Sequence, residues 1–172
     1  AGLFAAFPLV YSTVLSALYM PIILMVIALI FRGVAFEFRF KANKTKHLWD
    51  QAFIWGSILS SFLQGVILGA YIQGIETTNG IYTGGGLDWL TPFSLFTGIS
   101  VVVLYATLGC GWLIFKTEKM LQNRMFELMP KLLIALLLIF ACVSIYTPLV
   151  HHQIAERWFS QPQLFYFSPV PV

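Results

Sequence analysis

Three histidines and two cysteines are the side chains of this sequence best suited to bind a metal ion or haem iron. His47, His151 and His152 stand at the ends of predicted helices, from which an imidazole can reach an axial position on haem. Neighbours such as His151 and His152 diverge by about 100° on a helix, so they lack chelating i, i+4 spacing. Cys110 and Cys142 lie in apolar runs without CxxC spacing. We therefore interpret the histidines as interfacial residues and the cysteines as packing residues, and we predict no metal site.

Catalytic motifs are also missing from the sequence. It contains no combination of nucleophile, base and orienting group at a spacing that would favour covalent catalysis. The run Gly84-Gly85-Gly86 lacks the Lys-Ser/Thr pair that follows a phosphate-binding loop, so it predicts an ordinary loop. We predict no catalytic residue in this chain.

The distribution of charge indicates which elements position these residues. The 172 residues are 59% hydrophobic and only 10% charged, whereas a soluble domain carries about 25% charged residues. This composition excludes a small soluble enzyme and a disordered chain. Charges are absent from four runs long enough to cross a bilayer, residues 1–31, 51–75, 89–115 and 132–150.

The sequence therefore predicts an all-α polytopic transmembrane helix bundle, with one membrane domain over residues 1–172. The four helices are expected at about 3–31, 50–74, 91–115 and 131–150. Thr91 and Pro92 have the residue types of an N-cap and a first helical position. The uncharged tail 158–172 contains Pro162, Pro169 and Pro171, which favour an extended outer segment.

Lysine and arginine counts predict the orientation of the helices. Segments 32–50 and 116–131 are rich in Lys and Arg, whereas 76–88 has Glu76 and Asp88 with neither. The positive-inside rule places 32–50 and 116–131 in the cytoplasm. The basic pI follows from this topology, and no nucleic acid partner is expected. Because the sequence opens in an apolar run without an initiator Met, we expect it to be a fragment lacking both ends of a longer protein.

Small residues recur every four positions along the second predicted helix. Ser57, Ser61, Gly65 and Gly69 share one stripe, and the last two form a GxxxG pair. We predict that this stripe is a helix-packing face. The edge of a cofactor could occupy the same narrow groove, although packing is the favoured interpretation.

The densest polar segment follows the first predicted helix at residues 31–41. Aromatic residues alternate there with charges that include Arg32, Glu37 and Arg39. The favoured interpretation is a juxtamembrane basic stretch near anionic head groups. The alternative places Arg32 and Glu37 in ion pairs with a partner subunit. No predicted span contains an ionisable residue in its middle, unlike proton relays and coupling-ion sites.

Residues 31–41, Phe-Arg-Gly-Val-Ala-Phe-Glu-Phe-Arg-Phe-Lys, resemble the hallmark segment of subunit II of the cytochrome bd-type quinol oxidases, including the cyanide-insensitive branch. Residues 2–11 resemble the start of the second helix in that family. Leu90-Thr91-Pro92-Phe93 with Gly98 is similar to the opening of a later helix. Residues 157–159 and the prolines that follow resemble the next outer loop. These matches run through the sequence in the family's order.

The resemblance implies a terminal oxidase that oxidises quinol and reduces dioxygen to water in the bacterial inner membrane. Haems b and d and the quinol-oxidising loop would belong to the partner, subunit I. Subunit II would be haem-free, support assembly and cofactor retention, and contact membrane lipids and, through the complex, the quinone pool. A structural quinone is a further expectation. Arg32, Glu37 and Arg39 would act structurally or electrostatically.

A different class of protein stays open as an alternative. The sequence could form half of a secondary transporter or a lipid-interacting scaffold. Transporter repeats characteristically contain spans broken by Gly or Pro. Pro21 is the one proline deep inside a predicted span, which gives this alternative little support.

Overall fold

The computed structural model describes residues 5–42, 44–75, 77–78 and 81–150. Four helices account for nearly all of this part of the chain and confirm the predicted all-α class with four spans. They are α1 (Pro8–Lys41), α2 (Lys46–Gln73), α3 (Pro92–Lys116) and α4 (Met120–Val150). Between α2 and α3, strands β1 (Thr77–Thr78) and β2 (Ile81–Tyr82) pair antiparallel, with Thr77 opposite Tyr82.

Three helices extend beyond the ends expected from hydropathy. The segment 32–41, expected as part of a loop, continues α1; α2 begins at Lys46 and α4 begins at Met120. With 34 residues, α1 is about 51 Å long, well beyond the roughly 30 Å of bilayer hydrocarbon. Arg39 and Lys41 complement the partial negative charge of a helix C-terminus. The charged residues therefore mark the end of the apolar run, while the helix itself continues to Lys41.

Contacts divide the chain into two compact units, Ala1–Tyr105 and Ala106–Val172. In the first unit, α1 and α2 form an antiparallel hairpin joined by residues 42–45. A Cβ atom at Gly56 would lie 2.8 Å from the carbonyl oxygen of Ala28 and 3.2 Å from the backbone nitrogen of Arg32. The backbones of the two helices are therefore too close at this point for any larger residue to fit without a shift.

A small apolar cluster closes the other end of this hairpin. Ala17 and Leu18 of α1 are buried with Ala70 of α2, and Tyr82 and Trp89 from the connection between α2 and α3 pack against them. The cluster holds Tyr82 and Trp89 against the two helices, so the start of α3 is positioned beside the end of α2.

Helix α3 begins as the sequence predicts. The backbone N–H of Ser94 donates to the Thr91 hydroxyl at 3.1 Å, and the backbone N–H of Thr91 donates to the Ser94 hydroxyl at 3.0 Å. This reciprocal arrangement satisfies backbone donors that have no partner within the helix, as an N-cap does. Thr91 as N-cap and Pro92 as first helical residue are thus confirmed.

In the first unit, α3 crosses α2 as closely as α1 does. A Cβ at Gly65 would lie 2.5 Å from the Thr97 carbonyl oxygen and 2.8 Å from the Gly98 Cα. One at Gly69 would collide with the Thr97 hydroxyl, and one at Gly98 would lie 2.7 Å from the Phe62 ring. Close approach of this kind is the usual way in which membrane helices gain packing energy.

The second unit contains the end of α3 and helix α4. Cys110, which is buried, lies with its sulfur 3.3 Å from the Met125 carbonyl oxygen, and the Gln122 amide donates to the Ile114 carbonyl at 2.9 Å. Cys142 is exposed. His151, His152 and the tail 158–172 lie outside the described residues, and the single domain over 1–172 stays a prediction.

Candidate functional site at the basic end of the hairpin

The four-residue connection 42–45 brings the predicted polar segment of α1 beside the first turns of α2. We call this region, residues 31–53, the basic end of the hairpin. An antiparallel hairpin places residues equally far from the connection next to each other. Side chains that are distant in sequence can therefore meet here without any further element.

An ion pair joins the two helices at the basic end. The Arg39 Nε atom donates to the Asp50 carboxylate. Both side chains are close to half exposed, at 48% and 43%. A solvent-exposed pair of this kind contributes about 0.2–1 kcal/mol, because water screens the attraction and holding two side chains costs entropy. The pair thus orients the helix ends more than it stabilises them.

Aromatic contacts reinforce the same junction. The Phe38 and Trp49 rings lie 5.2 Å apart between centroids and bridge α1 and α2. The Phe36 and Phe40 rings meet edge to face at 5.7 Å along α1. Such pairs contribute about 0.5–1.5 kcal/mol beyond the area they bury. The aromatic residues of the segment therefore contact α2 on one face of α1 and each other along α1 itself.

Glu37 and Arg32 have different surroundings from Arg39. Glu37 forms an i, i+4 pair with Lys41 of the same helix at 3.7 Å, with both side chains well exposed. The Arg32 guanidinium lies over the Phe53 ring at 5.6 Å from its centroid. Arg32 takes part in neither of the two ion pairs found in the described part of the chain.

The three charged residues predicted as one site therefore do not converge. Each contacts a different group, and two of those groups, Asp50 and Phe53, were missed by reasoning from the sequence. The signal that could have found them is the short connection, since Asp50 and Phe53 follow it about as closely as Arg39 and Arg32 precede it. The assignment of Arg32, Glu37 and Arg39 as a functional segment stays a prediction.

The predicted small-residue stripe of α2 divides between two environments. Gly65 and Gly69 lie against α3, as described above. Ser57 and Ser61 are half-buried, and their hydroxyls donate to carbonyl oxygens of α2 itself, at Phe53 and Ser57. The close contact with α1 is made one position earlier, at Gly56.

A polar groove extends from Arg32 along the hairpin towards α3. Its volume is about 450 Å³. Ser60, Ser61 and Gln64 of α2 line it with Met25 and Leu29 of α1. At its far end, the Tyr105 hydroxyl donates to the Gln64 side-chain oxygen at 3.0 Å. Gln64 and Tyr105 carry no signal in the sequence, because a lone Gln and a lone Tyr in separate helices form no motif.

The described residues bring no cluster of metal-ligating side chains together. No group of three or more His, Cys, Asp or Glu side chains comes together among them. His47 lies exposed in the first turn of α2. The basic end offers a set of cationic donors at the edge of an apolar helix pair.

Comparisons with known proteins identify the family. The family model described as cytochrome bd terminal oxidase subunit II matches residues 1–172. Cytochrome bd ubiquinol oxidase subunit 2 of Bacillus subtilis strain 168 is 33% identical over 84% of this chain and 45% of its own length. Cytochrome bd-I ubiquinol oxidase subunit 2 of Escherichia coli K12 is 31% identical over 72% of this chain and 34% of its own length.

A probable cytochrome oxidase subunit 2 of Haemophilus influenzae is 30% identical over 72% of this chain and 34% of its own length. The chain thus spans less than half the length of the curated relatives that it matches. The match to the family model nevertheless runs from its first residue to its last, and the four long apolar helices agree with a membrane subunit. The chain belongs to the family of cytochrome bd terminal oxidase subunit II.

Proposed function

We propose that this chain acts within a haem-free subunit II of a bd-type terminal quinol oxidase, which couples quinol oxidation to dioxygen reduction. The observation that carries the proposal is the family match over residues 1–172. In this assignment haems b and d reside in the partner, subunit I. The haem-free role rests on the resemblance of residues 31–41 to subunit II of that family.

The role of the chain would be to support assembly of the complex and retention of its cofactors. Membrane helices associate through close packing and hydrogen bonds, and the crossings at Gly56 and Gly65 provide rigid packing of this kind. A rigid helical unit of this type is suited to hold a partner subunit in place. A structural quinone and membrane lipids are the remaining components that we assign to the complex.

We further propose a location in the bacterial inner membrane, with segments 32–50 and 116–131 in the cytoplasm. The excess of Lys and Arg in both segments supports this orientation. A membrane-impermeant maleimide applied to intact spheroplasts should label Thr83→Cys and not Lys44→Cys, above the background of the two native cysteines. Labelling of Lys44→Cys alone would reverse the orientation.

Co-purification and haem content test the function. The tagged full-length protein should be isolated from membranes with a second subunit and with haems b and d, and should carry no haem when that subunit's gene is deleted. Conversely, the haem-bearing subunit isolated without this protein should have lost part of its haem. Stoichiometric haem in the isolated protein would contradict the haem-free assignment, and full haem retention by the partner alone would contradict the role in assembly.

The transporter alternative makes a different prediction. It expects solute flux in proteoliposomes that contain this protein without a partner. Helix α1 continues unbroken through Pro21, which is fully buried, so it does not form the broken span typical of transporter repeats. Flux without a partner would nevertheless favour the transporter over the oxidase subunit.

A further inference from the structure

Two grooves on the first unit share part of their lining. The polar groove beside Arg32 and a second groove of about 520 Å³ share Gln64 and Tyr105. The lining of the second groove is almost entirely apolar, with Leu18 of α1 and Val101 of α3 among its residues. We call the combined surface, from Arg32 to Leu18 along α1, the Arg32 furrow. It has a cation at one end and hydrocarbon side chains at the other.

The furrow is long enough to span the hydrocarbon of one lipid leaflet. Leu18 and Arg32 are fourteen positions apart, which corresponds to about 21 Å along α1, and one leaflet contributes about 15 Å of hydrocarbon. The Arg32 guanidinium lies over Phe53, about 5 Å along α2 from the level of Asp50. The cation is therefore close to the charged end of the hairpin, where a lipid head group would lie, and the apolar half extends towards the bilayer centre.

Arg32 is the cation that lines this surface, because Lys44 and Lys46 are part of neither groove. Arg39 and Lys41 are paired with carboxylates, whereas Arg32 is in neither ion pair of the described residues and contacts an aromatic face. A guanidinium stacked on a ring keeps its N–H donors at its edge, and these match the oxygens of a phosphate. Arg32 is exposed, so a phosphate can approach it.

We propose that the Arg32 furrow binds one anionic phospholipid, with its phosphate at Arg32 and an acyl chain along the groove that contains Leu18 and Val101. The acyl chain must pass the polar groups of Tyr105 and Gln64. Because these two groups are hydrogen-bonded to each other, the free-energy cost of removing them from water is lower. The proposal requires that the chain is embedded in a bilayer and that no protein helix covers the furrow. It does not rest on the oxidase function.

Native mass spectrometry of the intact membrane complex tests this site. The delipidated complex would be titrated with phosphatidylglycerol and, separately, with phosphatidylcholine of the same acyl chains. One phosphatidylglycerol should bind in preference, and Arg32→Gln should weaken its binding about tenfold. The same change should weaken phosphatidylcholine less, because the choline cation already offsets the attraction of its phosphate to Arg32. Arg32→Lys, which keeps the charge, should retain much of the preference.

Lys116→Gln is the matched control. Lys116 also lies over an aromatic ring, that of Trp112 at 5.4 Å, so the variant removes the same charge from a similar contact elsewhere. It should leave phosphatidylglycerol binding at the Arg32 furrow unchanged. An equal loss in the Arg32→Gln and Lys116→Gln complexes would overturn the proposal, because it would indicate a response to net charge alone.

A second variant tests the apolar half independently of the charge. Val101→Phe should fill the groove and weaken the binding of long-chain phosphatidylglycerol, with little effect on a dihexanoyl form. This variant and Arg32→Lys carry the test if the Arg32→Gln complex does not accumulate. Equal affinity for the anionic and the neutral lipid would contradict the site. Displacement of the lipid by a quinone at similar concentration would also contradict the site. The same holds if a protein helix covers the furrow and no lipid enters it.

Discussion

Helix α2 packs against two neighbours in two different ways. Its contact with α1 consists of the close approach of the Gly56 and Ala28 backbones, together with side-chain contacts such as the Arg39–Asp50 pair near the connection. Against α3 it has Gly65, with a side-chain hydrogen bond from Thr97 to the Gly65 carbonyl oxygen at 3.0 Å.

The difference reflects how each pair of helices is connected. A four-residue connection holds α1 and α2 in register, so side chains near it can share in fixing the hairpin. The connection between α2 and α3 is longer, and in a bilayer no hydrophobic driving force brings the two helices together. Their crossing therefore depends on close contact between backbones, which any added atom would disturb.

The largest expected effect is at Gly65. A Gly65→Ala change puts a methyl group 2.5 Å from the Thr97 carbonyl oxygen and 2.8 Å from the Gly98 Cα, both of them backbone atoms. We expect a loss of about 3 kcal/mol of stability, at the upper end of common overpacking costs. A large fall in the thermal midpoint of the purified complex should report it.

Gly33→Ala is the control for that change. A Cβ atom at Gly33 would meet nothing within 4 Å, so this variant tests the exchange of Gly for Ala in a helix without a packing change. It should be neutral or slightly stabilising, since Ala is the better helix former. A similar loss in both variants would show that the α2–α3 crossing is not the cause.

A smaller loss is expected from Gly56→Ala. The new methyl group would lie 2.8 Å from one backbone oxygen, with its next neighbours at 3.2 and 3.3 Å. Because only one contact is severe, we expect about 1–2 kcal/mol. The same thermal measurement ranks it against Gly65→Ala. A larger loss at Gly56 would reverse our comparison of the two crossings.

The smallest effect should follow from Thr97→Val, which removes the hydroxyl and keeps the shape. The hydroxyl also lies 2.8 Å from the Ser94 carbonyl oxygen of its own helix, so its single proton is shared between alternatives. Side-chain hydrogen bonds between membrane helices average about 0.6 kcal/mol. A loss above that of Gly65→Ala would mean that the hydroxyl dominates this crossing rather than the backbone contact.

Particular residues show how far the sequence could predict this arrangement. The uncharged runs located the four spans, and Thr91 with Pro92 located the start of α3. The four-residue spacing placed Gly65 and Gly69 together, and both lie against α3. Hydropathy could not place the ends of α1 or α4, since helices continue past the membrane boundary. Nor could it pair Arg39 with Asp50 or Tyr105 with Gln64, because those contacts depend on how the helices are aligned.

The sequence by itself determined the membrane class, the four apolar helices and the basic and acidic character of their connections. These features depend on composition and on the 30 Å scale of the bilayer, which act on each segment separately. Only the tertiary structure decided which face of α2 packs against α1 and which face packs against α3. It also decided that Arg32 lines a furrow and does not contact a carboxylate. Helices in a bilayer choose partners by shape at particular atoms, and that shape exists only once the backbones lie side by side.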